Sequence, residues 1–360
     1  MKILHFISSP ASGGAEIYVR DLCIHMARQG HSVLIIFLTD AKSIGRDIEF
    51  EKKFLNELKE NGIDYKILGS RSKKDLLLNF LKVGKLLNTL KPDVVHAHLH
   101  YAMVYLSAFR SKVVYTHHSI IPGAPVFIFK LYNLRVGRYI GISKKCKEIL
   151  EGYTNHEVAR IDNAVDSERL NGNIKPRVES DSNTVTIVAT GRLMHAKNYE
   201  MLIEVAVKLK EKNENFKILV AGEGKKEYRK ILEEKVVERK VEDRFKFLGQ
   251  CNDIPRLLKS ADIFVTTSHY EGLPISLIEA SLLGVPAVVT DVGSCGEVVE
   301  KCKSGFVVNA DDVQNFSEKC SLLINDKELR LRLSKSALVL SSHYEIERSV
   351  NEHLTLYKNL

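Results

Sequence analysis

With 360 residues, 44% of them hydrophobic and 27% charged, the chain is too long for one typical domain and comfortable as two, each able to bury its own core. It has no run of about eighteen apolar residues to span a bilayer, and its opening MKILHFISSP lacks the basic start and long apolar middle of a secretion signal, so the cytoplasm is the expected location. A net charge of +8 suits phosphates, anionic lipid or nucleic acid, but no basic element is interleaved with aromatics, which argues against nucleic acid.

Taken in chain order, Lys2 to Ile7 reads as a buried strand. SSPASGGAE then makes a loop whose Gly13 and Gly14 permit positive φ or a close approach of backbone to ligand. The amphipathic run IYVRDLCIHMARQG follows as a helix closed by Gly30. The glycine spacing is not G-x-G-x-x-G, which counts against a nicotinamide-type fingerprint. His31 to Leu38 gives a second strand, polar helical sequence runs to Glu60, and Tyr65 to Leu68 gives a third strand. From Lys73 to Leu90, the residues Leu76, Leu77, Phe80, Leu81, Leu87 and Leu90 recur near helical period, with Lys73, Lys74, Lys82, Lys85 and Lys91 on other faces. This is either a helix packed on the sheet with solvated lysines or a basic surface resting on anionic headgroups.

KPDVVHAHLH places His96, His98 and His100 at period two, on one face of a strand. Such a row can bind zinc, although no acidic or cysteine partner stands nearby. Val113 to Thr116 is the next strand and ends in THHS, where a histidine is well placed to meet a ligand. Pro122 to Tyr139 is apolar with Lys130, Arg135 and Arg138 interspersed, its exposed side suited to lipid. YIGISKKCKEIL reads as strand and helix, and IDNAVD as the turn that ends the first domain. Should Ala164 need positive φ there, the strain is about 1 kcal/mol.

Ser167 to Asn183 is polar, contains Pro176 and shows no apolar period, so it reads as a linker. Alternation restarts with TVTIVATGR, a strand bearing Gly191 and Arg192 at its end, with Lys197 opening a further helical run. Phe216 to Ala221 is a strand ending in GEG, and Phe245 to Leu248 leads into Gly249 and Gln250. In SHYEGLPISLIEASLLGVPAVVTDVGSCGE, Glu271 falls in a loop with Gly272 and Leu273. Pro274 falls at the first helical position, followed by Ile275, with Glu279 about one and a half turns inside. The open amides of that helix start attract anions, and the two carboxylates flank them. The arrangement suits a phosphate between hydroxyl-bearing groups. SSHYEIERSVNEHLTLYKNL reads as a helical tail. Cys23, Cys146, Cys251, Cys295, Cys302 and Cys320 show no CxxC or zinc spacing and read as free thiols.

Glu271 and Glu279, with seven residues between them, EGLP before and GVPAVVTDVG after, resemble the E-x7-E signature of retaining GT-B glycosyltransferases of family 4, also called glycosyl transferases group 1. SGGAE is similar to that family's first loop, PDVVHAH to a usual strand end, THHS to its T-x-H, and GRLMHAKN to its G-R-L-x-x-x-K motif. GEG and FLG are similar to its G-x-G and F-x-G segments. Two positions depart from the pattern: Ala164 stands where N-G-V-D has glycine, and Ser294 where a second glycine of D-V-G-G is common.

The resemblance covers essentially the whole chain and implies an α/β GT-B fold, two Rossmann-like domains with parallel sheets facing across a cleft. It divides the chain into 1–166 for the acceptor, a 167–183 linker, 184–343 for the nucleotide sugar, and a 344–360 helix crossing back. Glu271 then contacts the donor sugar and Glu279 the ribose. Arg192 and Lys197 hold the diphosphate, and His118 meets the sugar or the reacting centre. Gly249 and Gln250 lie near the base, and Gly13 and Gly14 near the donor phosphate. The bond that breaks joins the anomeric carbon to a phosphate oxygen, so charge gathers on the diphosphate and two fixed cations stabilise it.

The implied function is transfer of a hexose from a nucleotide diphosphate sugar, UDP first and GDP second, to a hydroxyl of a glycan or lipid-linked acceptor. Its setting is polysaccharide or lipopolysaccharide synthesis at or near the anionic inner face of a membrane. No cofactor or metal is expected, since no D-x-D pair stands in a suitable loop. Two other functions remain open: a non-hydrolysing sugar-nucleotide epimerase and a catalytically idle binding protein.

Overall fold

The computed structural model describes residues 1–69, 76–98, 100–106, 112–171 and 184–360. The basic positions Lys73 and Lys74 and the 172–183 part of the expected linker lie outside them. The chain divides into two compact units, Met1–Val165 with Ile346–Leu360, and Asp166–Glu345.

The first unit is built on seven parallel strands: β1 (Lys2–Ile7), β2 (Ser32–Phe37), β3 (Asp64–Ile67), β4 (Val94–Ala97), β5 (Val113–His117), β6 (Val136–Gly141) and β7 (Val158–Arg160). Their order is β3-β2-β1-β4-β5-β6-β7. The helices between them are α1 (Gly14–Arg28), α2 (Ile48–Glu60), α3 (Leu76–Leu90), α4 (His100–Leu106), α5 (Val126–Tyr132) and α6 (Lys144–Glu151). Order reverses between β1 and β4, where His5 pairs in register with His96.

The second unit begins with α7 (Ser167–Asn171) and carries six parallel strands: β8 (Val185–Thr190), β9 (Phe216–Ala221), β10 (Phe245–Gly249), β11 (Ile263–Thr266), β12 (Ala287–Thr290) and β13 (Gly305–Val308). Their order is β10-β9-β8-β11-β12-β13, so the reversal falls between β8 and β11. Central strands such as β12, AVVT, buried along its whole length, read as near-continuous apolar runs because a parallel sheet is covered on both faces. Its other helices are α8 (Tyr199–Glu211), α9 (Lys226–Glu238), α10 (Ile254–Lys259), α11 (Ile275–Leu282), α12 (Cys295–Cys302), α13 (Val313–Asn325) and α14 (Lys327–Leu340). The last helix, α15 (Ile346–Lys358), is part of the first unit, where the Tyr18 and Ser349 hydroxyls share a 2.7 Å hydrogen bond.

Several local expectations change. His100 does not share a strand face with His96 and His98, because β4 ends at Ala97 and His100 opens α4. The start of the expected linker is helical: the Asp166 carboxylate accepts from the Glu168 amide at 2.9 Å, an N-cap, and Leu170 is buried. On α3, Asn79, Val83, Gly84, Leu86 and Leu87 are buried, while Leu77, Leu78 and Leu81 are exposed beside Lys82 and Lys85. Ala164 is not among the residues at positive φ, so no strain arises there. The six cysteines are free and, apart from the half-buried Cys251, buried.

Candidate functional site

In an open α/β sheet, ligands meet the carboxyl ends of strands where the strand order reverses. At the reversal of the second sheet two loops meet, one after β8 and one after β11. They are sewn together by the His269 amide donating to the Ala196 carbonyl at 2.8 Å and the Thr267 hydroxyl donating to the Asn198 carbonyl at 2.9 Å. The first loop makes a 3-10 turn over His195–Lys197 and the second carries Glu271. Lys197 Nζ donates to Glu271 Oε1, which also accepts from Ser268 Oγ at 2.7 Å. The Lys197 and Glu271 side chains keep 21% and 10% of their surface exposed. Two residues assigned from sequence to opposite parts of a donor thus form one ion pair. Arg192, in the same loop, is exposed.

Glu279 lies on the inward side of α11, its side chain only 4% exposed, and its Oε1 accepts from the Arg169 guanidinium on α7 at 2.7 Å. A carboxylate this deep needs such a cation, since burial alone disfavours its charge. The sequence reading missed Arg169 because it falls in the stretch taken as linker; the D-S-E cap pattern at Asp166 was the available signal.

The helix start differs by one residue. Pro274 is the N-cap, with φ −71° and ψ 121°, and α11 begins at Ile275. The Pro274 carbonyl accepts from the Leu277 amide at 3.2 Å, and no side chain caps the helix, so its first amides have no acceptor within the helix. The side chains of Leu273 and Ile275, expected from the sequence to meet the donor, are buried.

Glycines at the strand ends let these loops pack backbone to backbone. Gly293 sits at φ 58°, and a Cβ on it would lie 1.8 Å from the Glu271 carbonyl oxygen. Ser294, where the pattern has a second glycine, adopts φ −120° as N-cap of α12, so serine fits and only Gly293 is constrained. Gly191 sits at φ 146°, its carbonyl accepting from Tyr199 Oη at 2.9 Å, and a Cβ on Gly222 would lie 2.0 Å from that carbonyl oxygen. Gly249 joins the row, its carbonyl accepting from the Gly222 amide at 2.8 Å, with Gln250 half-buried beyond it.

Gly13, Gly14 and His118 belong to the first unit. Neither glycine uses positive φ. Gly13 is the extended N-cap of α1 at φ −159°, and a Cβ there would meet Glu16 Oε2 at 2.2 Å. The Glu16 carboxylate accepts from Ser8 Oγ at 2.6 Å, which fixes the loop.

His118 follows β5 and joins a group of buried imidazoles at the reversal of the first sheet: His5, His96, His98 and, from α15, His353. Burial lowers His5 and His118 to about 3, aided for His5 by His353 and for His118 by His117 and His353. Burial likewise lowers His353 to about 4 and holds His96 and His98 well below the usual imidazole value. Nitrogens of His5, His96 and His98 lie within 4.8 Å of one another. Their lone pairs do not converge as a cation would need, because His98 Nε2 and His5 Nδ1 face each other at 3.0 Å. The ring nitrogens of His96 are bonded to Tyr357 Oη and, at 2.6 Å, Thr116 Oγ1.

Family models match in tandem: Glycosyltransferase Family 4 over residues 12–169 and Glycosyl transferases group 1 over residues 171–338. An α-1,3-N-acetylgalactosaminyltransferase of Campylobacter jejuni, acting on N,N'-diacetylbacillosaminyl-diphospho-undecaprenol, is 37% identical over 111 residues, 31% of this chain and 30% of that protein. A component of the phosphatidylinositol N-acetylglucosaminyltransferase of Arabidopsis thaliana is 30% identical over 278 residues, 70% of this chain and 60% of that protein. Against several curated relatives, including the Campylobacter enzyme at 30% and the mannosyltransferase LpsB of Rhizobium meliloti at 50%, the match spans half of their length or less.

Among solved structures, Anabaena HepE in complex with UDP and glucose superposes with a TM-score of 0.84 over 100% of both chains at 20% identity. Sucrose-phosphate synthase of Thermosynechococcus elongatus superposes at 0.80, covering 100% of this chain and 99% of that one at 16% identity. With one family model on each half of the sequence and a parallel sheet in each unit, the chain belongs to the GT-B glycosyltransferases.

Proposed function

We propose that the chain is a retaining, metal-independent hexosyltransferase of family 4. It would move a hexose from a nucleoside diphosphate sugar, UDP-linked in the first instance, to a hydroxyl of a glycan or lipid-linked acceptor. The observation that carries this reading is the Lys197–Glu271 pair at the strand-order reversal, beside the uncapped start of α11. Lys197 is held by a carboxylate until a diphosphate arrives to share its charge; Glu271 is then free to accept from sugar hydroxyls. Arg192 adds the second cation, and the amides at the start of α11 add partial positive charge. Glu279, anchored by Arg169, presents its remaining oxygen to the ribose. Charge developing on the leaving diphosphate is thereby stabilised without a metal, and a phosphate oxygen takes the acceptor proton on the face it departs from.

The acceptor side of the reading rests on the first unit. Leu77, Leu78 and Leu81 on α3, and Phe127, Leu131 and Leu134 in and after α5, are exposed large apolar residues with Lys82, Lys85, Lys130 and Arg135 exposed among them. That mixture suits an anionic bilayer surface carrying a lipid-linked acceptor. Relatives named for undecaprenol-linked and phosphatidylinositol substrates support it. No helix among the described residues is long and apolar enough to cross a membrane.

A thermal-shift panel of UDP- and GDP-sugars tests the donor. Lys197→Ala or Arg192→Ala lowers turnover by about a hundredfold or more; unchanged rates in both refute the assignment.

A further inference from the structure

Three imidazoles of the first unit, those of the buried His5 and His98 and the half-buried His118, form a chain. His118 Nε2 and His98 Nδ1 lie 3.0 Å apart, and His98 Nε2 and His5 Nδ1 also lie 3.0 Å apart. The ring centres are separated by 5.2 and 5.3 Å, as expected when the bonding nitrogens lie on the line between them, and the His5 and His98 planes differ by only 13°. These are in-line hydrogen bonds between rings rather than stacked faces. Both end atoms, His118 Nδ1 and His5 Nε2, are buried and make no hydrogen bond among the described residues.

A neutral imidazole has one N–H donor and one acceptor nitrogen, and burial keeps these rings neutral near pH 7. Two bonds among three such rings leave two self-consistent arrangements. If His118 Nε2–H donates to His98 Nδ1, His98 must carry its proton on Nε2 and donate to His5, whose own proton is then on Nε2. If His5 Nδ1–H donates instead, all three protons sit on Nδ1. A mixed set breaks a buried hydrogen bond and sets two lone pairs or two N–H groups against each other, which costs about 1–3 kcal/mol or more.

We propose that His98 and His5 are positioning residues that set the tautomer of His118, so that its Nδ1 offers either a lone pair or an N–H according to a choice the three rings make together. The functional consequence rests on the reading that His118 meets the donor sugar or reacting centre; the shared tautomer does not. Neither His5 nor His98 need touch substrate. His5 sits in β1 and His98 just past β4, adjacent strands, so the sheet itself holds the chain in line. His96, bonded to Thr116 and Tyr357, stands outside it.

The test is two-bond proton–nitrogen correlation spectroscopy on the ligand-free full-length protein, labelled with 15N-histidine, near neutral pH. His5, His98 and His118 are expected to share one tautomer. His353, whose Nδ1–H donates to the Ser349 carbonyl at 2.8 Å, and His117, whose Nε2–H donates to the Ile121 carbonyl at 3.1 Å, serve as references for the two forms. Opposite tautomers within the set, or rapid averaging in any member, overturn the proposal. His98→Phe, which keeps a planar ring and deletes both nitrogens, should turn the His118 signals into a tautomer mixture and lower kcat by about tenfold or more with little change in donor KM. An unaltered His118 tautomer in that variant also overturns it. The wild-type spectrum decides the matter even if the variant fails to fold. A shared tautomer together with a fully active His118→Ala variant would instead refute the role given to His118 in transfer and leave the coupling standing.

Discussion

Lowering the pH from 7.5 to 5 should unfold the first unit well before the second. His5 and His118 titrate near 3 when folded, and His117 and His353 near 4, against about 6.5 for an unfolded histidine. Because the folded values lie below the unfolded one, stability is complete above about pH 6.5 and drains as pH falls toward the folded values. At pH 5 the unfolded chain has taken up nearly a full proton at each of these positions and the folded chain almost none. Each therefore contributes a loss of about 2 kcal/mol.

Four such groups weigh as much as the roughly 5–15 kcal/mol that holds a typical domain together. His96 and His98 shift in the same direction, and the buried histidines among the described residues all belong to the first unit. Hydrogen exchange read by mass spectrometry at both pH values, corrected for intrinsic rates, resolves peptides from residues 1–165 and 346–360 from those of 166–345. Equal protection losses in both units, or none between pH 7.5 and 5, would refute the reasoning.

Three further outcomes are expected. Arg169→Ala leaves Glu279 buried without its cation and should cost about 3 kcal/mol in urea unfolding of the second unit; adding Glu279→Gln should recover most of that, and an unchanged midpoint in the single variant contradicts it. Gly293→Ala forces a side chain into φ 58° and against the Glu271 carbonyl, so the melting temperature should fall by the equivalent of at least about 2 kcal/mol and donor-induced stabilisation should disappear; a normal donor shift would show that Glu271 tolerates displacement. Exhaustive chelation should leave the transfer rate unchanged, and a loss restored by manganese would overturn the metal-free mechanism.

The alternation of strand and helix was legible in the sequence because strands covered on both faces must be continuous apolar runs. β12 stands out on that basis alone, and β1 and β9 do so with a polar residue within an otherwise apolar run. Glu271, Pro274 and Glu279 were legible because they belong to one loop and one helix, where spacing along the chain is spacing in space. The same local reading misjudged Pro274 by one position, since a residue's ψ is set by the loop leading into the helix as much as by its own ring.

What local pattern could not supply is partnership at a distance. Arg169 meets Glu279 from 110 residues away and His5 meets His98 from 93, and both meetings depend on strand order. Sequence by itself determined the class of the fold, the family resemblance and the identity of the charged groups. Tertiary structure alone decided that Lys197 and Glu271 are bound to each other, that Gly293 rather than Ser294 carries the constraint, and that histidines from separate strands form one chain. The physical reason is that a parallel sheet brings together strand ends with no local relation in sequence, and only the finished sheet says which ends are neighbours.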